Sequence, residues 1–585
     1  MGDYLIVSGA DITPNAHALA ARVRHFAERS GMTISEVSGS TWIGTDGPNP
    51  PDQVAVGAWT LVGQVLNREN IRLPADDSDD PYLYERKLMM RFWGRYVGIR
   101  LGANGRIAAV LRDPSGALEC IVWTHRDLTF VSSGLPAWLV EQLRPAWTID
   151  YKRLGLTLRN PLLSAGALCL DGPTSIEPGT TRSLPLPGKS EALWRPMDHV
   201  RRGRAEGLSP TEASNRLRSS IDESVRGLGK GFRTLAAEVS GGLDSSIVAS
   251  SLVDQRVGPV QLWLNAYGDT PQSDERLYVQ SLAEFLHIQP ECVPLTRGPL
   301  TEDALLEVST GPRPGINGLD TMQDASWAAR LSVVGANCVF TGKGGDSILV
   351  HGADVDVFTD RWMAQGWRSI LSPDVHRLAL LNECSIWTMV CHARRHVREG
   401  TALPLRDSGL LMCAEDAPYS HPWLEGSQEF GPAKALQIAG VIDNISRHGP
   451  TLQTRVVDVL HPLCSQPVVE ACLATPTPLM TYGGRNRGLA RLAFADRLPS
   501  LIIDRRSKAD LTSIYGMRVL NSLTFLRPWL LDGLLAANGI IDRVAAEEIL
   551  KKESLMWRGR YGEIVMAAAF EGWARAWDQR LPPPG

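Results

Sequence analysis

The sequence has few of the features that mark secreted or membrane proteins. Its nine cysteines are scattered over 585 residues, and no CxxC pair occurs. An odd number of separated cysteines in so long a chain is typical of reduced thiols. No apolar run is long enough to span a bilayer, and residues 1–6 lack the basic start of a secretory signal. These absences predict a cytoplasmic protein without a membrane partner.

Strong charge and the commonest nucleotide motifs are also missing. The net charge is −4 and no long basic run occurs, so nothing supports a nucleic-acid partner. Neither GxxxxGK[ST] nor GxGxxG is present. A hydrophobic content of 44% in 585 residues is ordinary for globular proteins and predicts more than one domain.

One short stretch carries a specific signal: Ser240-Gly241-Gly242-Leu243-Asp244-Ser245-Ser246. The apolar run 235–239 before it indicates a buried strand, and 247–253 indicates the first turns of a helix. A glycine turn between a strand and a helix N-terminus favours phosphate binding, because the backbone can approach an anion closely. The carboxylate of Asp244 beside phosphates would require a bridging cation such as Mg²⁺. A plain turn with capping serine and aspartate is the alternative.

This stretch resembles the pyrophosphate-binding loop of the ATP pyrophosphatases, and its residue sequence is most similar to that of the asparagine synthetase branch. The resemblance implies that ATP and Mg²⁺ are bound and that ATP is cleaved to AMP and pyrophosphate while a carboxylate is activated. It assigns ATP binding to every residue from Ser240 to Ser246, and to Thr341 and Gly342.

Around this stretch, strands and helices alternate. Strands are expected at 235–239, 260–264, 291–295 and 337–340, and helices at 210–225, 273–286 and 326–334. Such alternation predicts an α/β fold with a doubly wound parallel sheet, whose ligands bind at the carboxyl ends of the strands. The fourth strand ends in a second glycine-rich loop, Thr341-Gly342-Lys343-Gly344-Gly345-Asp346-Ser347. By resemblance Asp346 is the second Mg²⁺ ligand, opposite Asp244; a helix cap is the alternative.

Three further residues are catalytic candidates on the same resemblance. Lys343 stands where asparagine synthetases carry a glutamate and β-lactam synthetases a tyrosine, which implies a changed substrate. Glu383 lies about where β-lactam synthetases have the glutamate that partners this tyrosine, although without the tyrosine the pattern favours a solvated helix residue. Lys508 matches the lysine that reaches the α-phosphate; a surface lysine is the alternative. Arg505 and Arg506 beside it are possible phosphate or carboxylate partners.

The remaining chain divides into regions. Residues 1–190 are rich in strand patterns and resemble the glutaminase domain of asparagine synthetases, an Ntn-type αββα fold. In that family the nucleophile is a cysteine directly after the initiator methionine. Here that residue is Gly2, and the first cysteine is Cys120. The domain is therefore expected to release no ammonia and to be structural or a docking surface. Residues 191–208 are expected to be a linker, and 209–585 a synthetase-like domain with a helical C-terminal part.

Within this superfamily the chain is most similar to the lasso peptide cyclases, by the missing cysteine, the GxGGD loop and the strings at 462–467 and 483–491. The resemblance implies adenylation of an internal Asp or Glu side chain of a core peptide and attack by its N-terminal amine. It also implies a leader-recognising protein and a leader peptidase as partners. Three alternatives remain open: a glutamine-independent asparagine synthetase-like ligase, a β-lactam synthetase and a non-catalytic peptide-binding scaffold.

Overall fold

A computed structural model describes residues 2–73, 80–271, 273–296, 298–315, 319–400, 409–412, 421–446, 448–506 and 512–582. Antiparallel sheets occupy the first third of the chain, and a parallel sheet with many helices follows. Within these ranges, no helix combines the length and apolar character needed to cross a membrane.

In the described part of the first 192 residues, residues 2–73 and 80–192, there are fourteen short strands and four α-helices. The strands are β1 Tyr4–Ser8, β2 Thr33–Ser38, β3 Thr41–Thr45, β4 Gln53–Val56, β5 Trp59–Asn67, β6 Phe92–Leu101, β7 Ile107–Arg112, β8 Ile121–His125, β9 Leu128–Ser132, β10 Thr148–Ile149, β11 Leu170–Asp171, β12 Thr174–Ser175, β13 Thr180–Ser183 and β14 Ser190–Ala192. The helices are α1 Pro14–Arg29, α2 Pro81–Arg91, α3 Ala137–Leu143 and α4 Tyr151–Arg159.

These strands form two six-stranded sheets, in the orders β12-β8-β9-β1-β3-β2 and β14-β13-β7-β6-β5-β4, and a small β10-β11 pair. Ile6 and Val131 of the first sheet and Val97 and Val110 of the second share one buried cluster, so the sheets pack face to face. Alternate residues of each strand point to the opposite face, where α1 covers the first sheet and α2 the second. The layers therefore run helix, sheet, sheet, helix.

The second part is built on five parallel strands. They are β15 Leu235–Glu238, β16 Val260–Tyr267, β17 Pro290–Pro294, β18 Cys338–Phe340 and β19 Asp458–Leu460. The helices of this region are α5 Pro196–Glu206, α6 Pro210–Gly229, α7 Leu243–Asp254, α8 Arg276–Leu286, α9 Glu302–Val308, α10 Thr321–Val333 and α11 Gly345–Ile348. The strand order β17-β16-β15-β18-β19 confirms the predicted parallel sheet.

This strand order places the switch point of the sheet between β15 and β18. From β15 the chain moves outward through β16 to β17, whereas β18 and β19 lie on the other side of β15. A crevice opens where the winding direction changes, and ligands of such sheets bind there. The loops that follow β15 and β18 therefore lie side by side.

Helices make up most of the remaining chain. They are α12 Val355–Gln365, α13 Pro373–Leu381, α14 Ile386–Glu399, α15 Pro432–Ser446, α16 Gln466–Ala474, α17 Thr477–Met480, α18 Gly488–Ala493, α19 Ser500–Ile503, α20 Thr512–Asn521, α21 Leu523–Leu531, α22 Leu534–Ala537, α23 Arg543–Ile549, α24 Lys552–Arg558 and α25 Tyr561–Asp578. The last of these packs back on the antiparallel region, where Trp573 and Leu154 share a buried cluster.

Two regions differ from the sequence-based expectations. The segment 191–208 is no open linker, because β14 extends into it and α5 buries Met197, His199 and Val200. Pro196 stands at the first position of α5, where its missing N–H costs nothing. The strand β19 was not predicted, since its three residues carry too short a pattern to recognise.

A buried ion pair joins the antiparallel region to the parallel sheet. Arg95 of β6 lies 3.0 Å from the carboxylate of Asp458 in β19, and the two side chains are only 9% and 1% exposed. Arg95 also binds the Gln64 side-chain oxygen at 2.8 Å. Burial alone would raise the pKa of Asp458, but the Arg95 guanidinium lowers it below its usual value. This ion pair therefore links the two regions, and removal of either partner would leave the other charge buried and unpaired.

We predict that Arg95→Ala destabilises the protein by roughly 3 kcal/mol, because the buried Asp458 carboxylate loses its guanidinium partner. The measurement is the urea midpoint of unfolding followed by tryptophan fluorescence. Arg24→Ala is the matched control, since its partner Glu36 is 64% exposed and exposed pairs contribute little. Equal midpoints for the two variants would contradict this account.

Candidate functional site

The loop between β15 and α7 is a tight turn that needs glycine. Gly241 has a φ of +71°, and a Cβ there would lie 2.7 Å from a side-chain carbon of α8. The Ser245 hydroxyl accepts a hydrogen bond from the Ser240 nitrogen at 3.1 Å. The Ser246 hydroxyl donates to the Gly242 carbonyl at 2.8 Å. These serines stabilise the turn, so the donors left for an anion are the N–H groups at the start of α7.

The loop after β18 is in direct contact with this turn. A Cβ at Gly342 would lie 2.5 Å from the Ser245 nitrogen, and one at Gly345 would lie 2.4 Å from the Asp244 Cγ. Only hydrogen fits in these two places, which is why both positions are glycine. The close approach brings Asp346, the residue after Gly345, beside Asp244.

Arg487 binds both of these carboxylates. Its Nη1 lies 2.7 Å from Oδ2 of Asp244 and 2.9 Å from Oδ1 of Asp346. The Arg487 and Asp244 side chains are only 8% and 14% exposed, so the bond between them is weakly screened, whereas Asp346 is 45% exposed. Because one nitrogen reaches both, the two carboxylates face a single point in one cleft, as ligands of a shared cation must.

This donor set fits Mg²⁺ bound together with a nucleotide. Mg²⁺ is usually held by one or two carboxylates, and substrate phosphates and water complete its octahedron. In the described ranges no group of three or more His, Cys, Asp or Glu is arranged to hold a metal. Asp244 and Asp346 could therefore hold the ion only where phosphate and water supply the other ligands.

The two loops open into a cleft of about 250 Å³ at the carboxyl edge of the sheet. Its acidic lining residues are Glu238, Asp244 and Asp346, and its basic ones are Lys343, Arg487, Arg491 and Arg505. Cations outnumber carboxylates, so the cleft suits a polyanion such as a triphosphate.

Two of the arginines are held rigidly by the main chain. Arg505 pairs with the Glu275 carboxylate at 2.5 Å, donates to the Gly241 carbonyl at 3.2 Å, and stacks on the Tyr278 ring. Arg491 donates to the Ile502 carbonyl at 3.1 Å. Burial lowers the pKa of Arg491 to about 10, which leaves it charged at neutral pH. Arg491, which is held only by carbonyl groups, is therefore a fixed cation that can bind an anion without rearrangement, whereas Glu275 already balances part of the charge of Arg505.

The structure brings most of the expected nucleotide residues to the cleft. Ser240, Gly242, Leu243, Asp244, Ser245 and Gly342 line it. Three others stand behind the loops. Gly241 offers its carbonyl to Arg505, and Ser246 is buried. The buried Thr341 hydroxyl bonds the His461 ring nitrogen at 2.7 Å.

The catalytic candidates are separated. Lys343 is exposed and lines the cleft. Glu383 lies in an exposed turn between α13 and α14 with a φ of +50°, outside the set of residues that line the cleft. Lys508 lies outside the described residues. Sequence reasoning missed Glu238, Arg487 and Arg491, and the only available signal was the glycine- and arginine-rich string at 483–491.

Comparison with known proteins adds one strong finding. Residues 216–575 match the sequence model of the family described as asparagine synthase. No curated protein matches the chain. Among solved structures, similarity is found to one titled "Structure of the allosteric regulatory enzyme of purine biosynthesis", with 11% identity over 51% of this chain and 82% of that one at a TM-score of 0.20. The glutamine phosphoribosylpyrophosphate amidotransferase of B. subtilis, complexed with ADP and GMP, gives 11% identity over 58% and 81% at 0.21. Scores this low support no inference about the site.

We predict that Gly345→Ala weakens binding of Mg·ATP by at least about tenfold, because the added Cβ would displace the Asp244 carboxylate. Isothermal titration calorimetry measures this directly. Gly562→Ala is the control, since a Cβ there meets no atom of the described residues within 4 Å. Unaltered binding by the first variant would show that the two loops do not form the nucleotide site.

Proposed function

Because the chain belongs to the asparagine synthase family, whose members are ATP-dependent amide ligases, we propose that it is a lasso peptide cyclase. In this proposal it forms the isopeptide bond that closes a macrolactam ring in the core peptide of a lasso precursor. The observation that supports it most is the pair of carboxylates from two glycine loops that meet at Arg487, in a cleft with an excess of cations.

ATP occupies the cleft in this proposal. The backbone of the first loop and the fixed cations Arg491 and Arg505 bind its phosphates, and Asp244 and Asp346 hold the metal. Bound Mg²⁺ would neutralise charge on the phosphates that leave as pyrophosphate. Arg487 would keep the two carboxylates directed at one point in the cleft.

The reaction has two steps. A side-chain carboxylate of an internal Asp or Glu attacks the α-phosphorus, and the P–O bond to pyrophosphate breaks. The N-terminal amine of the same peptide then attacks the acyl carbon, and AMP leaves with the electron pair of the broken C–O bond. The enzyme's task is to order the peptide so that the amine reaches the mixed anhydride before water does.

Lys343 supports a substrate other than free aspartate. It stands where asparagine synthetases have a glutamate, and it is exposed at the cleft. Lys343 therefore presents a positive charge to the substrate where asparagine synthetases present a negative one. The position also lacks the tyrosine that a β-lactam synthetase would carry there. Both changes favour a peptide substrate over the two small-molecule alternatives.

The antiparallel region lacks a reactive thiol at its first cysteine. The Cys120 side chain is fully buried, and burial raises its pKa to about 12, so no thiolate forms at neutral pH. In the proposal this region supports the parallel sheet through Arg95 and offers a surface to the leader-recognising protein and the leader peptidase. Cleavage of the leader supplies the free α-amine that ring closure consumes.

The direct experiment supplies the purified protein with Mg·ATP and a panel of synthetic linear peptides. Each peptide has a free N-terminus and one internal Asp or Glu. Loss of one water from a peptide, with equimolar AMP, is the expected result by mass spectrometry. N-acetylated peptides are the control and should not close. Pyrophosphate exchange that needs aspartate alone would instead favour an asparagine synthetase-like ligase, and a failure to bind Mg·ATP would favour the scaffold.

We predict that Asp244→Asn or Asp346→Asn lowers AMP formation by at least about a hundredfold, because each substitution removes a charge that holds the metal. Released AMP is measured by liquid chromatography, with circular dichroism to show that the fold persists. Asp303→Asn, at an exposed position of α9, is the matched control. Rates like that of the control would remove both aspartates from the nucleotide site.

We also predict that Lys508→Ala lowers the rate of pyrophosphate release far more than it weakens ATP binding. A lysine that contacts the α-phosphate stabilises charge that grows only in the transition state. Stopped assays of pyrophosphate and calorimetric titration of ATP separate the two effects. Parallel losses of binding and rate would assign Lys508 to ground-state binding alone.

A further inference from the structure

One carboxylate in the nucleotide cleft stands apart from the pair that faces the metal position. In the part of the chain that the structure describes, three carboxylates line the cleft. Asp244 and Asp346 are bound by Arg487. The third, Glu238, is the last residue of β15. No step of the proposed reaction uses it, and a negative charge beside a triphosphate is repelled, so its place in the cleft needs a reason.

The sheet directs Glu238 away from the phosphate loop. Successive side chains of a strand point to opposite faces. Ala237 shares a buried cluster with Ile247 of α7, whereas Ala236 shares one with Trp327 of α10. Glu238 is two residues after Ala236 and therefore lies on the α10 face. The N-terminus of α7, which would bind phosphates, belongs to the other face.

The Glu238 carboxylate has room for a donor from a ligand. The side chain belongs to a half-buried residue, and no hydrogen-bond donor among the described residues reaches it. Only the Lys343 ammonium opposes the rise in its pKa that burial causes. A partly buried carboxylate without a donor is costly, so this position suits a ligand that brings an N–H or O–H group. The phosphates of ATP offer only acceptors and negative charge, so they cannot fill this role.

The neighbouring cation selects a neutral donor. Lys343 lines the same cleft on the adjacent loop, and its ammonium would repel a second cation. A hydroxyl or an uncharged amino group meets no such repulsion. The nucleoside of ATP carries both kinds of donor, in its ribose hydroxyls and in the amino group of adenine.

The phosphate loop and Glu238 are close enough for one ligand to reach both. Glu238 lies two residues before Ser240, about 7 Å along an extended chain. Glu238, Ser240 and Gly242 all line the same cleft. ATP with its phosphates at the N-terminus of α7 would therefore place its nucleoside along the carboxyl edge of the sheet, within reach of Glu238.

We propose that Glu238 accepts a hydrogen bond from a neutral donor of the nucleoside of ATP and is a specificity-determining residue of the cleft. The donor is an O–H or N–H group, from the ribose or from the amino group of adenine. This inference rests on the ATP binding of the proposed function and adds nucleotide selectivity to it. It does not depend on which peptide is the second substrate.

The selectivity follows from what a mismatched nucleotide leaves behind. A nucleotide that lacks the donor would cover Glu238 and leave its carboxylate without a partner. Sites built to bond a polar group reject the analogue that lacks it for this reason. Loss of the donor should therefore weaken binding at least about tenfold.

The test is a cycle of nucleotide analogues and variants of the full chain, followed by isothermal titration calorimetry with Mg²⁺. The probes are ATP, 2′-deoxy-ATP, 3′-deoxy-ATP and the triphosphate of purine riboside, which lacks the amino group of adenine. For the wild type we expect one analogue to bind at least about tenfold more weakly than ATP. For Glu238→Leu we expect that analogue and ATP to bind within about twofold of each other. The analogue that loses affinity identifies the donor.

Two further variants complete the cycle. Glu238→Gln keeps an acceptor oxygen but not the charge, so it should prefer ATP less strongly than the wild type does. Glu302→Leu, at an exposed position of α9, is the matched control and should discriminate like the wild type. Circular dichroism shows whether Glu238→Leu folds, and Glu238→Gln carries the test if it does not.

The outcomes separate this inference from the proposed function. A wild type that binds ATP and all three analogues equally would overturn the inference and leave the proposed function standing. Undiminished discrimination in Glu238→Leu, or in Glu238→Gln where that variant carries the test, would also overturn it, because another group would then bind the donor. If the wild type does not bind Mg·ATP, the proposed function fails first, and this inference fails with it.

Discussion

The structure depends on the contact between two glycine loops at the switch point of one parallel sheet. Gly342 and Gly345 let the loop after β18 touch the turn after β15. The contact places two carboxylates within reach of one guanidinium nitrogen. Two like charges this close need a cation between them. Any larger residue at either glycine would separate the acids, and the cleft would no longer present them as a pair.

The sequence predicted only the part of this arrangement that depends on residues close together in the chain. Strand and helix patterns near Gly241 and Gly342 are set by neighbouring residues, so the parallel sheet could be inferred and is confirmed. Arg487 and Arg491 could not be assigned, because they reach the cleft from a segment far away in the chain. Their roles depend on which helices pack together, and side-chain periodicity does not encode that. Strand β19 and helix α5 were not predicted for a related reason, since each is stabilised by tertiary contacts.

The antiparallel region is part of the same folded body as the parallel sheet. One apolar cluster runs from Trp93 of β6 through Leu217 of α6 to Phe340 of β18, and a second joins α25 to the opposite side of that region. The Arg95–Asp458 pair crosses the boundary at β19, an edge strand of the sheet. A region tied in this way can remain essential to the sheet whether or not it performs chemistry of its own.

The charged residues of the cleft suit an anionic ligand. Arg491 and Arg505 are held in place by main-chain carbonyls, and Arg487 holds the Asp244–Asp346 pair. Lys343 lies on the second of the two touching loops, at the same cleft. A nucleotide bound by these cations would therefore lie where the two loops meet, and bond formation in the proposed reaction would have to occur there.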